Sequence, residues 1–124
     1  MAHSAEYIRY VEDLFSVLPG STVKRMFGGA GVFREGLMYG LATSEGGIAL
    51  KADEQTVPAM QAGGATEWVY ERDGNERRMG YWYVPESLLD EPDEFRQWAE
   101  TAFETARRAD AKKSPRQRKW TGAG

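Results

Sequence analysis

The sequence predicts an α+β domain in which an antiparallel sheet is flanked by helices. Apolar residues recur at helical spacing near both ends of the 124-residue chain, and shorter segments with strand-like alternation lie between them. These strand segments are separated by short glycine-containing connections, which favour antiparallel pairing because a parallel crossover needs about a dozen residues or more. With 41% hydrophobic residues and no cysteine, the chain can form one core without disulfides.

Two amphipathic helices are predicted, at Ala5–Leu18 and Asp93–Ala109. In the first, Tyr7, Val11 and Leu14 lie on one stripe, and Pro19 ends the helix. The stripe of the second contains Phe95, Trp98, Ala99, Ala102, Phe103 and Ala106. Stripes of this kind are typical of helices that pack on a core.

Between these helices the sequence predicts six strands and one short helix. The first four strands are expected at Val23–Phe27, Gly31–Glu35, Leu37–Thr43 and Ile48–Lys51. A short helix, Glu54–Gln61, follows Asp53 as its cap. The last two strands, Glu67–Arg72 and Asn75–Val84, form a hairpin because Asp73-Gly74 between them is a strong turn signal.

The distribution of charge divides the chain into a domain at residues 1–109 and a basic tail at residues 110–124. The net charge is −3. After Asp110 the tail carries five basic residues and no acidic one, so residues 1–111 carry −8; these basic residues are Lys112, Lys113, Arg116, Arg118 and Lys119. Such a tail is typical of a solvated segment, of electrostatic contact with nucleic acid or of contact with an acidic protein.

Residue types that support catalysis are sparse in this sequence. His3 is the one histidine and has no cysteine or second histidine as co-ligand. The glycines of residues 28–31 lack the spacing of a phosphate-binding loop. Acidic pairs lie at predicted helix starts, where they interact favourably with the helix dipole. We therefore predict a protein without catalytic residues, metal or cofactor, which is not an enzyme.

The aromatic residues of the predicted hairpin form the main candidate partner surface, namely Trp68, Tyr81, Trp82 and Tyr83. Three uses remain open for them: packing in the core with Trp82 left exposed, a protein interface, or stacking of nucleic-acid bases. The candidate nucleic-acid contacts are Arg72, Arg77 and Arg78 near the hairpin turn, together with the five basic residues of the tail.

Three segments give the chain a family resemblance: residues 25–33 (RMFGGAGVF), residues 36–41 (GLMYGL) and residues 79–85 (MGYWYVP). They resemble the TfoX N-terminal domain family. The resemblance implies a secretion-chaperone-like fold with the order α-β(3)-α-β(2)-α, and no catalytic residues. It also implies kinship with regulators of natural competence, which act with the cyclic-AMP receptor protein. The family's glycines correspond to Gly28, Gly29, Gly31 and Gly36, to which we assign a role in backbone geometry.

The function expected from these observations is that of a non-enzymatic regulatory protein-interaction module, with the transcription machinery as a candidate partner. The alternative is a DNA- or RNA-binding accessory protein that uses the tail and the three hairpin arginines. No apolar run approaches the roughly 20 residues that span a bilayer, and the N-terminus lacks the features of a secretion signal. We expect a cytoplasmic protein, either monomeric or homodimeric, that does not contact membranes.

Overall fold

The computed structural model describes residues 4–26 and 28–112. Its elements are, in chain order, α1 (Ala5–Phe15), β1 (Ser21–Met26), β2 (Gly29–Arg34), β3 (Leu37–Ala42), β4 (Ile48–Lys51), α2 (Val57–Ala62), β5 (Thr66–Arg72), β6 (Asn75–Tyr83), a 3-10 helix (Glu86–Asp90) and α3 (Pro92–Ala111). The predicted α+β class is confirmed. Four strands precede α2, one more than the α-β(3)-α-β(2)-α order that the resemblance implied.

Both long helices end at residues other than the predicted ones. α1 ends at Phe15 and not at Leu18, because Ser16 turns its N–H (3.2 Å) and its hydroxyl (2.6 Å) to the carbonyl of Asp13, which tightens the last turn. α3 extends to Ala111 and not to Ala109, and the side chain of Asp110 is buried within it.

All strands belong to one six-stranded sheet with the order β1-β2-β3-β4-β6-β5, and all neighbouring strands are antiparallel. β5 and β6 form the predicted hairpin, in which Arg72 pairs with Asn75 across the turn. Asp73 and Gly74 both have positive φ, 54° and 78°, as a two-residue hairpin turn of this kind requires. β6 lies between β4 and β5, so the hairpin forms one end of the sheet and β5 is its edge strand.

The pairing of the strands has two irregularities, and one of them changes which side chains share a face. Val32 pairs with Gly40 and Phe33 pairs with Met38, so Tyr39 is an extra residue on β3. A second shift lies between Glu67 and Val69, where Trp68 alone faces residues 79–81, so β6 carries two extra residues at Gly80, whose φ is 76°. A single extra residue shifts the alternation of side chains on β3, whereas two extra residues leave the alternation on β6 in phase.

The main core lies between one face of the sheet and the helices. The helices contribute Val11, Phe15, Met60, Leu88, Phe95, Ala99, Ala102, Phe103 and Ala106, and the strands contribute Ala30, Val32, Leu37, Tyr39, Ala42, Ile48 and Leu50. Phe15 is fully buried and meets Phe95 and Tyr39 edge-on, with ring centroids 5.1 and 5.8 Å apart. Edge-to-face contacts of this kind stabilise a core beyond the area that they bury.

A second, smaller cluster occupies the other face of the sheet, which we call the open face. Its buried residues are Leu41, Ala49 and Tyr81, with Met38, Trp68 and Tyr83 packed against them. All of these are strand residues. Every buried apolar residue that a described helix supplies belongs to the main core instead. The sheet is therefore layered with helices on one side, and the open face is accessible from the other.

Asp53 stabilises the loop that connects β4 to α2. Its carboxylate accepts hydrogen bonds from the backbone N–H groups of Gln55 and Thr56, and it forms an ion pair with Arg108 of α3 at 3.0 Å. Asp53 was predicted to cap the short helix, but its carboxylate stabilises the turn before that helix. α2 begins only at Val57. Burial works to raise the pKa of Asp53, but the hydrogen bonds from Arg108 and from the two N–H groups outweigh it and hold the pKa below its usual range.

Replacing Asp53 with asparagine is expected to lower the free energy of unfolding by about 1 kcal/mol at neutral pH. A carboxylate whose pKa is depressed by folding stabilises the fold above its unfolded pKa, and this contribution is lost as the pH falls through the folded pKa. The difference between Asp53→Asn and wild type should therefore shrink below about pH 4. Urea denaturation of both proteins at several pH values measures this difference in the free energy of unfolding. A difference that stays constant down to the acid limit would contradict a role for the charge.

Candidate partner-binding site

A concave depression in the open face is the candidate functional site, and we call it the open-face basin. It has a volume of about 380 Å³ and is lined by Met38, Leu41, Trp68, Tyr70, Arg72, Met79 and Tyr81. These residues come from β3, β5 and β6. β5 is the last strand of the sheet, so the basin extends to the edge of the sheet.

The floor of the basin is formed by Tyr81 and Leu41, which are both buried. The Tyr81 hydroxyl donates a hydrogen bond to the carbonyl oxygen of Met38 at 3.1 Å, which ties β6 to β3 across β4. Burial raises the pKa of the Tyr81 phenol, so the group stays protonated at neutral pH. Lys51 places its ammonium 5.1 Å from the centre of the Tyr81 ring. The floor is therefore apolar and rigidly positioned, with a cation beside it.

The wall of the basin is formed by the edge strand. Trp68, Tyr70 and Arg72 alternate along β5 and all line the basin. The Trp68 and Tyr70 rings are stacked, with centroids 5.0 Å apart and an interplanar angle of 18°. On the facing strand, Met79 is 52% exposed. The result is a partly open apolar surface with an arginine at one end.

Charges on the β5–β6 hairpin are separated between its two sides. Tyr70 pairs with Arg77, which places Arg77 on the open face beside Arg72. The acidic residues Glu67, Glu71 and Glu76 lie at the alternate positions, on the opposite side of the hairpin. Arg78 shares that side and contacts the carboxylates of Glu67 and Glu76, each at 3.4 Å.

The four predicted partner-surface aromatics do not form one surface. Trp68, Tyr81 and Tyr83 lie on the open face, whereas Trp82 lies on the helix side and packs, half-buried, against the main core. The Tyr83 hydroxyl is within 3.1 Å of the Thr43 hydroxyl and so contacts the β3–β4 turn, outside the basin. The basin contains two of the four, Trp68 and Tyr81.

The predicted site residues did not include four residues of the basin, Met38, Leu41, Tyr70 and Met79. Met38 and Leu41 lie on either side of the extra residue of β3, so simple alternation assigns them to opposite faces. Met79 had a usable signal, because it alternates with Arg77 and Tyr81 along β6.

The predicted nucleic-acid contacts are also divided. Arg72 lines the basin and Arg77 lies on the same face, whereas Arg78 lies on the other side. Lys112 is exposed at the end of α3. The remaining four, Lys113, Arg116, Arg118 and Lys119, lie outside the described residues.

The four predicted structural glycines occupy two kinds of position. Gly28 and Gly36 have positive φ, 76° and 81°, at the turns that enter and leave β2. Gly29 and Gly31 lie within β2, where an added Cβ atom would meet the Ala42 carbonyl oxygen or two methionine sulfurs. These contacts concern backbone geometry and packing, and one of them, at Gly31, involves Met38 of the basin lining.

A second depression, also of about 380 Å³, lies between α2 and α3. It is lined by Gln55, Thr56, Ala59, Met60, Gln97, Trp98 and Thr101, none of which is charged. Across residues 4–26 and 28–112, no group of three or more His, Cys, Asp or Glu side chains is placed to hold a metal ion. No helix of that same part is both long and apolar enough to cross a membrane. The open-face basin combines apolar area with a charged group and is the stronger candidate site.

Helices on one side of a six-stranded antiparallel sheet, with an aromatic basin on the other, define an α+β domain. Comparison with protein families matches residues 13–106 to the TfoX N-terminal domain. The chain therefore belongs to the TfoX N-terminal domain family, and the match includes every strand and all residues of the basin. Membership makes the chain a competence-regulator-like module. No curated protein matches the chain.

Proposed function

We propose that the protein is a regulatory protein-interaction module that holds a segment of a partner protein in the open-face basin. The observation that carries the proposal is the exposure of apolar side chains on the face of the sheet that none of the described helices covers. Met79 and Tyr10 are the exposed large hydrophobic residues of residues 4–26 and 28–112, and Met79 lies at the rim of the basin. Exposed apolar surface beside a concave site is typical of partner-binding surfaces.

The shape of the basin favours an inserted side chain over stacked bases. Its floor, formed by Leu41 and Tyr81, lies below the level of the walls, so an occupant must enter a depression. Trp68 and Tyr70 stack on each other, which uses part of the ring surface that nucleic-acid bases would need. A depression that takes one or two apolar side chains is the usual form of an anchor site at a protein interface.

Selection of random linear peptides on the immobilised wild-type chain tests this proposal. We expect the selected peptides to lose about five- to tenfold in affinity for Met79→Gln, because a glutamine at the rim removes apolar contact area of the order of one or two methylene groups. Tyr10→Gln is the matched control, since Tyr10 is similarly exposed (44%) but lies on α1. Fluorescence anisotropy with the purified peptides measures both affinities.

Three outcomes would contradict the proposal. The first is a failure to select any peptide, and the second is a set of peptides that bind wild type and Met79→Gln equally. The third is binding of oligothymidylate that Met79→Gln weakens while peptides do not bind. That result would favour the DNA- or RNA-binding alternative, for which the stacked Trp68–Tyr70 pair beside Arg72 is the supporting geometry.

A further inference from the structure

The open face carries a charge opposite to that of the chain around it. Residues 1–111 have a net charge of −8. The strand positions on the open face nevertheless include basic residues and no acidic residue within the described strands: Lys24 pairs with Gly31, Lys51 pairs with Tyr81, Arg77 pairs with Tyr70, and Arg72 lines the basin. A cationic surface on an acidic domain creates a local potential that selects an anionic partner.

Two of these cations are placed to meet an occupant of the basin. Arg72 lines it, and Arg77 lies beside Arg72 on the same face of the hairpin. Across residues 4–26 and 28–112, neither of the two forms an ion pair, whereas Arg78 on the other side of the hairpin contacts two carboxylates. Guanidinium groups bind carboxylates with two parallel hydrogen bonds, so this end of the basin fits a carboxylate.

The basin is therefore polarised from one end to the other. Met38 and Leu41 define an apolar end, and the hairpin arginines define a cationic end. Lys51, beside the Tyr81 ring, adds a cation at the floor. We propose that the occupant is an acidic protein segment that inserts one large apolar side chain above Tyr81 and places flanking carboxylates against Arg72 and Arg77. This inference rests on the proposed function and specifies the chemistry of the partner.

The size of the cationic surface distinguishes such a segment from a nucleic-acid strand. A strand of nucleic acid is a long polyanion, and beyond the open face it would approach a domain with a large excess of negative charge. A short acidic segment ends before it leaves the cationic surface. The apolar end of the basin also matches a leucine or tryptophan side chain better than a charged backbone.

Three fluorescent peptides of equal length test the inference. Each has a central Trp-Leu pair, flanked on both sides by glutamates, by glutamines or by lysines. We expect the glutamate peptide to bind at least tenfold more tightly than the glutamine peptide, and the lysine peptide to bind more weakly still. Added salt should lower the affinity for the glutamate peptide and leave the affinity for the glutamine peptide nearly unchanged. Fluorescence anisotropy on the full chain supplies the affinities.

Two double variants with the same change in net charge locate the effect. The double variant Arg72→Gln/Arg77→Gln should bring the ratio of the affinities for the glutamate peptide and the glutamine peptide close to one. Arg9→Gln/Arg96→Gln, on exposed positions of α1 and α3, should leave the preference within about twofold of wild type, because distant exposed charges are screened. Thermal denaturation of each variant checks that the fold is retained.

The outcomes separate this inference from the proposed function. If all three peptides bind alike and Met79→Gln weakens them all, the basin is a docking site but the acidic preference is wrong. If the lysine peptide or oligothymidylate binds more tightly than the glutamate peptide, the inference is overturned. If the glutamate peptide does not bind, or binds with an affinity that Met79→Gln leaves unchanged, the docking site itself is misplaced and both proposals fail.

Discussion

Replacement of Phe15 by alanine is expected to lower the free energy of unfolding by about 3–5 kcal/mol. Phe15 is fully buried and its ring lies edge-on between Phe95 and Tyr39. The ring also occupies the space beside Gly40 on β3, where an added Cβ atom would lie 2.8 Å from it. Its removal leaves a cavity where α1, α3 and the sheet meet, and the backbone at Gly40 has no side chain to fill it.

Urea denaturation followed by far-ultraviolet circular dichroism measures this change. Glu12→Ala is the control, because Glu12 is exposed on the same helix and should change stability by less than about 0.5 kcal/mol. Since small domains are stable by about 5–15 kcal/mol, the Phe15 variant should be partly unfolded in mild denaturant. A loss of less than about 1 kcal/mol would mean that α1 does not belong to the cooperative core.

The elements of the fold were predictable because their signals are local. The stripe of α1, the glycine breaks between β1 and β4, and the Asp73-Gly74 turn each arise from a few neighbouring residues. The ends of elements were less predictable, as Ser16 shows: its hydroxyl competes for the carbonyl of Asp13 and ends α1 early. A helix end depends on such single hydrogen bonds, which a periodic pattern does not contain.

The faces of the sheet were harder to predict than its strands. Alternation divides β6 into Tyr81 and Tyr83 on one side and Trp82 on the other, but it does not say which side the helices cover. The structure places Trp82 on the core side and the tyrosines on the open face. One extra residue, Tyr39, then shifts the alternation on β3.

The charge pattern of the hairpin could have been read from the sequence. Once the two-residue turn is fixed at Asp73-Gly74, its register follows, and Arg72 and Arg77 must share a face from which Arg78 is excluded. The three arginines were grouped by their closeness along the chain instead. This division between the two sides of the hairpin matters for function. It leaves Arg72 and Arg77 on a cationic open face, whereas Arg78 contacts glutamates on the opposite side.

The second large effect is expected for Gly29→Ala, which should lower the free energy of unfolding by about 3 kcal/mol, at the upper end of what overpacking costs. Gly29 is buried in β2 opposite Met26, and an added Cβ atom would overlap the carbonyl oxygen of Ala42 in β3. The obstacle is the main chain, so no side-chain rotation relieves it. β2 and β3 would have to separate near the end that the glycine-rich turn holds in place.

Gly31→Ala is the matched comparison, because it makes the same change on the same strand. Its added Cβ atom would meet the sulfurs of Met26 and Met38 at 2.8 and 3.2 Å and a ring carbon of Phe33 at 3.0 Å, all on side chains that can move. We expect a loss of about 1 kcal/mol there. Urea denaturation of both variants measures the difference. Equal losses would show that the approach of Ala42 does not determine the need for glycine, whereas the expected order would attribute the need for glycine at position 29 to the close approach of β2 and β3.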